Sequence, residues 1–428
     1  MNIGIVGVGT VGSSVAKILK ENADVISARA GVDIFVKSGV VKNLSKDRGL
    51  DIKLTTDVDE LLNDESIDVI VELMGGVDEA FEVVKKALAK GKGVVTANKA
   101  LLAYHRFELQ EMAKKAAFEL DTAYAGCFEY EASVAGGIPI INALRDGLSA
   151  NHIESIRGII NGTCNYMMTK MMNEGVEYAS ILKEAQELGY AEADPTFDVG
   201  GYDAAHKLLI LASIAYGIDV KPEDILIEGI QNVSKDDIAF AKEFGYVIKL
   251  LGIAKKDSDG VELRVHACLI KKDEMIAKID GVMNGISVVG DKVGETLYYG
   301  PGAGGNATAS AVVANIIDIA RSGKSKPMMG YDKPMEGDFT LKSIEDIVSK
   351  YYLRINVSDK TGVLAKVTKL FEENNISIEI IFQKPTSGTC ANLLISTHLA
   401  CEKDIRNLIT ALEALEFVNK KPVMIRIV

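Results

Sequence analysis

The sequence predicts an α/β protein: a Rossmann-type parallel sheet, an inserted α+β domain and a C-terminal ferredoxin-like unit of βαββαβ order. Three observations carry that prediction. Gly7-x-Gly9-x-x-Gly12 falls between an apolar run and a helical pattern at the start of the chain. Residues 2–120 alternate short apolar runs with helical periodicity, as expected of a parallel sheet covered on both faces. Residues 350–428 read strand, helix, strand, strand, helix, strand. The chain has 428 residues, and single cores stop growing near ~250–300 residues, so two or three domains are expected.

In order, the first region predicts strands over 3–6, 32–36, 68–72, 93–96 and 122–125. Helices over 11–20, 58–63, 79–90 and 105–118 separate them. From Gly137 the pattern changes. Helices are predicted over 163–173, 178–188, 204–216 and 235–244, with strands over 248–254, 263–269 and 295–299. A small-residue helix over 307–320 returns to pack on the first domain. Residues 322–338 hold Gly323, Pro327, Gly330, Pro334 and Gly337 and read as a linker. The last unit predicts strands over 352–357, 377–383, 390–397 and 423–427 and helices over 363–374 and 402–412. Domain bounds follow: 1–136 with 302–322, then 137–301, a linker over 323–345 and a small module over 346–428.

Bulk properties exclude whole classes. Apolar residues make up 48%, charged residues 25%, and the net charge is −12. Nucleic acid and anionic membranes need clustered Lys and Arg, so neither is a partner. Cys127, Cys164, Cys268, Cys390 and Cys401 form no CxxC pair, so no zinc site or disulfide framework is expected. Reduced thiols fit a cytoplasmic protein. Met1-Asn2-Ile3-Gly4-Ile5 leads straight into a strand, with no basic segment and no run of ~18 apolar residues, so neither an export signal nor a membrane span is expected.

The chemistry concentrates in two places. Gly7 permits a tight turn, Gly9 admits a pyrophosphate, and Gly12 lets helix and strand pack closely. Thr10 and Val11 open the helix whose free N–H groups face the phosphates. An NAD site usually carries Asp or Glu after the second strand. Here Val36 is followed by Lys37, which can meet a 2′-phosphate or can simply be a solvated lysine. The cofactor is therefore NADP or NAD, with a lean to NADP.

The second place is the stretch from Glu192 to Lys207, which also holds Asp194, Asp198 and Asp203. Asp203 and Lys207 are four residues apart on a helix and share a face. Two readings fit. Asp203 caps the helix and pairs with Lys207, or Lys207 exchanges a proton with a substrate oxygen while Asp203 orients it. His206 is read as a packed or surface histidine. Lys99 follows a strand's carboxyl end, where ligands bind in parallel sheets.

These residues, with Glu72-Leu73-Met74-Gly75-Gly76, Thr96-Ala97-Asn98-Lys99-Ala100, Tyr130-Glu131-Ala132-Ser133-Val134-Ala135-Gly136-Gly137-Ile138-Pro139, Gly158-Ile159-Ile160-Asn161-Gly162-Thr163-Cys164-Asn165-Tyr166 and Gly300-Pro301-Gly302-Ala303-Gly304-Gly305-Asn306, resemble the homoserine dehydrogenase family over the whole chain. The resemblance implies interconversion of L-aspartate 4-semialdehyde and L-homoserine, towards threonine, methionine and isoleucine. It implies Lys207 as proton donor, with Asp203 holding it and the substrate. Glu192 would take the substrate amino group, Asp198 would support the site, and Lys99 would lie where cofactor and substrate meet. Thr96, Gly189, Gly304 and Gly305 would complete the cofactor site. Glu131 and the carbonyls of Val134, Gly136 and Ile138 would hold Na⁺ or K⁺; the bland alternative is that Glu131 caps a Gly-rich turn.

The last unit resembles an ACT domain, a small-molecule regulatory module. Asp359-Lys360-Thr361-Gly362-Val363-Leu364 matches its strand-to-helix turn and Asn375-Ile376-Ser377-Ile378 its second-strand entry. Thr361 stands where that turn often carries proline, which loosens it. The resemblance implies an amino-acid effector, threonine, near Asp359, Gly362, Val363 and Ile376, or pairing between subunits with no ligand. A homodimer or homotetramer is expected, and removal of residues 340–428 would take away threonine sensitivity and spare activity. Two other readings stand beside this one. A dehydrogenase for another small aldehyde would leave Glu192 without a purpose. A non-catalytic sensor would lack the acid/base groups that Lys207, Asp203 and Lys99 supply.

Overall fold

The computed structural model describes residues 1–323, 325–336, 339–385 and 389–428. The chain divides into two compact units. One comprises Met1–Ile160, Ala205–Asp224 and Met283–Phe339, the other Asn161–Ala204, Ile225–Val282 and Thr340–Val428.

The first unit is built on a six-stranded parallel sheet. Its order is Lys53–Thr55, Phe35–Val40, Asn2–Val6, Val69–Glu72, Gly93–Thr96, Phe128–Glu129. Branched side chains drive it: Ile3, Ile5, Val69, Val71 and Val95 are fully buried, each worth ~1.5–3 kcal/mol. The strand order reverses between Asn2–Val6 and Val69–Glu72, which places a ligand crevice at their carboxyl ends. Helix Gly305–Ser322 packs on helix Thr10–Glu21. The approach is close because Gly305 has no side chain; a Cβ there would lie 3.0 Å from Ser14 Oγ. Buried Arg106 ties helix Lys99–Glu119 to helix Tyr202–Tyr216, donating to Ser213 Oγ at 2.6 Å and Val220 O at 2.7 Å.

Several elements differ from expectation. The second strand is Phe35–Val40, not 32–36, because pairing with Asn2–Val6 carries it on through Lys37, Ser38 and Gly39. Residues 122–125 are not a strand; the chain turns there and pairs at Phe128–Glu129. Strands Ile153–Ile159 and Met283–Gly290 were not expected, and both form antiparallel ladders, Met283–Gly290 pairing also with Gly294–Pro301. Within the expected linker Met328 and Met329 are buried, and Tyr130 donates its hydroxyl to Met328 O. Gly337 and Asp338 of that stretch lie outside the described residues.

In the second unit, strands Tyr246–Asp257 and Gly260–Lys271 form a long antiparallel hairpin. Val423–Ile427 adds in parallel to Gly260–Lys271, pairing Cys268 with Arg426 and Leu269 with Ile427. Val348–Ser358, Cys390–Thr397 and Ile378–Pro385 follow, each antiparallel to its neighbour. Helices Val363–Glu373 and Glu402–Glu413 bury Val367, Phe371, Ile405, Leu408 and Leu412 against these strands. The βαββαβ order is thus present. Among the described residues no helix is long and apolar enough to cross a membrane, and Cys127, Cys164 and Cys268 are buried.

Candidate active site

The glycine loop is shaped by two different constraints. Gly7 has φ +101°, and a Cβ on it would lie 2.6 Å from Leu73 O. A Cβ on Gly12 would lie 2.5 Å from Gly7 O. Both glycines are demanded by the fold. Gly9 is not, since a Cβ there would meet nothing within 4 Å; what it leaves is room in front of the helix. Thr10 and Val11 start helix Thr10–Glu21, and Gly305 lies against Thr10 while Gly304, with φ +118°, caps the neighbouring helix. A cavity of about 890 Å³ opens here, lined by Gly7, Gly9, Val40, Lys42, Arg48 and Gly75 among others.

Lys37 is not at that cavity. It lies inside the second strand, and its ammonium sits 3.0 Å from Asp64 and bonds Ser66. Ser66 and Lys37 together hold the Asp64 carboxyl down at about 2. The strand ends at Val40, so the cations beyond its carboxyl end are Lys42 and Arg48. Arg48 is fixed there by Nε donating to Val8 O at 2.8 Å. No carboxylate stands at positions 41 to 43.

Glu72 was missed as a functional residue, although its motif was visible. It ends strand Val69–Glu72, fully buried. It accepts from Thr96 Oγ1 at 2.6 Å and Met74 N at 2.8 Å. Asn98 donates its amide to Gly76 O at 2.7 Å and caps helix Lys99–Glu119 by accepting from Leu101 N. Thr96 and Lys99 are thereby set at the carboxyl edge of the sheet. Burial pushes the Glu72 carboxyl up to about 7, against those hydrogen bonds; an ordinary glutamate titrates near ~4.3. Between these values the folded chain binds more protons than the unfolded one, so stability falls as pH rises. From pH 5 to 8 this group is expected to cost on the order of 3 kcal/mol. In Glu72→Gln that component disappears, and calorimetric melting at three pH values will show a shallower slope. Equal slopes in both proteins would refute it.

In the second unit, Asn161 organises the carboxylates. Its Oδ1 accepts from Cys164 N at 2.8 Å and caps helix Gly162–Glu174. Its Nδ2 donates to Asp198 Oδ1 and to Asp203 Oδ2, each at 2.8 Å. Asp198 lies in the short helix Thr196–Val199 and Asp203, 3% exposed, in the first turn of Tyr202–Tyr216. Between them Gly201 adopts φ +91°, a turn other residues resist. Asn161 stood within a recognised motif, but only this bridge shows its role. Lys207, one turn after Asp203 on the same helix, donates to Ile160 O at 2.7 Å. His206 is buried with its ring edge on Tyr104. Glu192 is exposed on its loop, its main-chain oxygen held by Gln186, and Gly189 turns that loop at φ +75°.

Two further predicted sets can be placed. Glu131 is 1% exposed, and its carboxylate accepts from Ile141 N and Asn142 N, both at 2.8 Å. It therefore caps the short helix Ile140–Asn142, and burial pushes its carboxyl up to about 7. Ala135 and Gly136 beside it are left-handed. An all-oxygen set of this kind suits a hard cation. Among the described residues no cluster of three or more His, Cys, Asp or Glu could hold a metal. In the last module Gly362 is left-handed at the helix start, and Asp359 accepts from Gln383. Val363 and Ile376 belong to the core of that module, so an effector would meet their main chain and not their side chains.

Residues 139–317 match the family described as homoserine dehydrogenase. Residues 7–121 match the homoserine dehydrogenase NAD binding domain, and 351–417 the ACT domain. The chain is 53% identical to a homoserine dehydrogenase of Helicobacter pylori, covering 100% of this chain and 99% of that one. It is 39% identical to that of Bacillus subtilis, over 98% and 96%. A solved homoserine dehydrogenase from Thiobacillus denitrificans superposes with a TM-score of 0.93 at 42% identity, over 100% and 98% of the chains. A hyperthermophilic archaeal homoserine dehydrogenase, solved in complex with NADPH, matches with a TM-score of 0.62 at 28% identity, over 74% and 96%.

Proposed function

The chain belongs to the homoserine dehydrogenase family, and from that premise we propose that it interconverts L-aspartate 4-semialdehyde and L-homoserine with Lys207 as the proton donor. The observation that carries this reading is the Asn161 bridge, which holds two carboxylates beside the helix that bears Lys207. The glycine loop Gly7–Gly12 would hold a nicotinamide cofactor, which would supply hydride to the aldehyde carbon. Reduction leaves an alkoxide, and the Lys207 ammonium gives it a proton. Asp203, buried and fixed by Asn161, orients the substrate and that ammonium. Glu192 takes the substrate ammonium, Asp198 braces Asp203 through the shared amide, and Lys99 would help hold cofactor and substrate together. Thr96, Gly189, Gly304 and Gly305 shape the cofactor's surroundings.

We further propose NADP as the better cofactor. Lys42 and Arg48 follow the second strand where an NAD site places a carboxylate, and the archaeal relative was solved with NADPH. Initial rates of homoserine oxidation with each cofactor test both ideas. Activity confined to other alcohols would remove the substrate assignment. Lys42→Glu should shift the NADP to NAD ratio of kcat/KM by about tenfold or more, the worth of ~1.4 kcal/mol; an unchanged ratio would discard the phosphate role.

Glu131 with the carbonyls of Val134, Gly136 and Ile138 is proposed to hold Na⁺ or K⁺, supported by the buried carboxylate and the left-handed turn at Ala135 and Gly136 beside it. The ACT module is proposed to bind an amino acid, threonine, as feedback from the threonine, methionine and isoleucine branch. Assembly as a homodimer or homotetramer would cover the edge strand Gly294–Pro301, whose Tyr299 is 58% exposed.

A further inference from the structure

Glu228 touches two things at once. Its carboxylate accepts from Arg426 Nη1 at 2.7 Å and lies 3.5 Å from Arg406 Nη2. Both guanidiniums also hold Glu402, the first residue of helix Glu402–Glu413. The main chain after Glu228 faces the other way. A Cβ on Gly229 would lie 2.1 Å from Val199 O and 2.8 Å from Gly200 Cα, and Ile230 N donates to Val199 O at 3.0 Å. Val199 directly follows Asp198, and Gly200-Gly201 lead into Asp203. Segment 228–230 therefore grips the C-terminal module by a side chain and the Asp198–Asp203 loop by its backbone, with no slack at Gly229.

Beside this segment lies a groove of about 550 Å³ between helix Glu402–Glu413, strand Val423–Ile427 and residues 228–233. One stripe of the helix faces it: Arg406, Ile409, Thr410 and Glu413. Arg406 and Glu228 are each anchored from behind, by Glu402 and Arg426, yet their side chains are 44% and 39% exposed. A cation and an anion fixed side by side match the carboxylate and ammonium of one α-amino acid. Ile409 and Thr410 offer a methyl-rich wall and a hydroxyl to its side chain.

We propose that this groove is an α-amino-acid site, and that segment 228–230 transmits its occupancy to Asp198 and Asp203. A ligand carboxylate on Arg406 and its ammonium on Glu228 open the pair between them and shift Glu228. Gly229 and Ile230 carry the shift to Val199. The site is separate from the turn at 359–362, and it rests on the reading of the C-terminal module as amino-acid responsive.

The test titrates the full chain calorimetrically with L-threonine, L-methionine and L-isoleucine, and measures homoserine oxidation alongside. Thr410→Trp fills the groove from an exposed position. It also places a single tryptophan there, since the chain has none. Glu228→Gln keeps the shape and removes the charge; Asp359→Asn alters the other candidate site. The expected result is binding of at least one probe with inhibition, weakened at least tenfold in Thr410→Trp and Glu228→Gln and unchanged in Asp359→Asn. Glu228→Gln should also lower kcat at saturating homoserine, which a residue confined to the C-terminal module would not do. Unchanged kcat would remove the transmission. Inhibition kept in both groove variants but lost in Asp359→Asn would overturn the groove and leave amino-acid regulation standing. A wild-type chain that binds none of the three overturns both.

Discussion

Lys207→Ala is expected to lower kcat by about 10²–10⁴, the usual worth of a positioned general acid or base. The fold should be unaffected. Lys207 is partly buried and donates to Ile160 O at 2.7 Å. That carbonyl belongs to the chain immediately before Asn161, so the residue that bridges the carboxylates and the residue that receives the ammonium are consecutive. Alanine removes the proton source and leaves the Asn161 bridge in place. The effect on KM should be smaller than that on kcat, because the lost interaction is made to the developing alkoxide. Lys207→Arg should not rescue, since a guanidinium holds its proton too tightly to give it up. Steady-state rates of homoserine oxidation, with melting curves as a control for folding, decide it. Turnover within threefold of wild type would assign the proton transfer elsewhere.

What could be read in advance follows from how local each signal is. Gly7, Gly9 and Gly12 report on a turn formed by neighbours in sequence, so the loop and its helix were legible. The C-terminal order was legible for the same reason: strands Cys390–Thr397 and Val423–Ile427 alternate within short bounded runs. The end of the second strand was not. Lys37, Ser38 and Gly39 favour a turn, and pairing with both Asn2–Val6 and Lys53–Thr55 extends the strand to Val40. That shift of four residues leaves Lys42 and Arg48, not Lys37, beyond the strand's carboxyl end. Strand Met283–Gly290 was hidden by Asn284 and Gly285 within it. Asn161 lay in a recognised motif, yet a side chain that bonds residues 37 and 42 positions away leaves no trace in local pattern.

Removing residues 340–428 is expected to abolish activity, contrary to what the sequence implied. A regulatory module joined by a linker can be cut away; this one is sewn into the sheet it would regulate. Val423–Ile427 pairs with Gly260–Lys271, and Val428 N donates to Leu269 O at 3.0 Å. At the other end Val261 N donates to Thr340 O and Lys342 N to Val261 O, each at 2.9 Å. Truncation would uncover the edge of Gly260–Lys271 at Cys268 and Leu269, both now buried and then open to pairing with other chains, while Leu226–Ile227 would still cover Arg264 and Val265. It would also strand Asp237. This carboxylate, wholly buried, receives Tyr352 Oη and Arg354 Nε at 2.8 Å each. The truncated chain would have to open this carboxylate to water or keep it buried without its guanidinium, and a charge left buried alone costs ~3–5 kcal/mol. Glu228 would lose Arg426 and Arg406, its partners in the C-terminal module. The truncated chain should therefore aggregate or turn over at a small fraction of the full rate. Soluble yield, size-exclusion profile and initial rates measure this directly. A soluble truncated protein with full turnover would show that the catalytic loop holds Asp198 and Asp203 without help from the C-terminal strands.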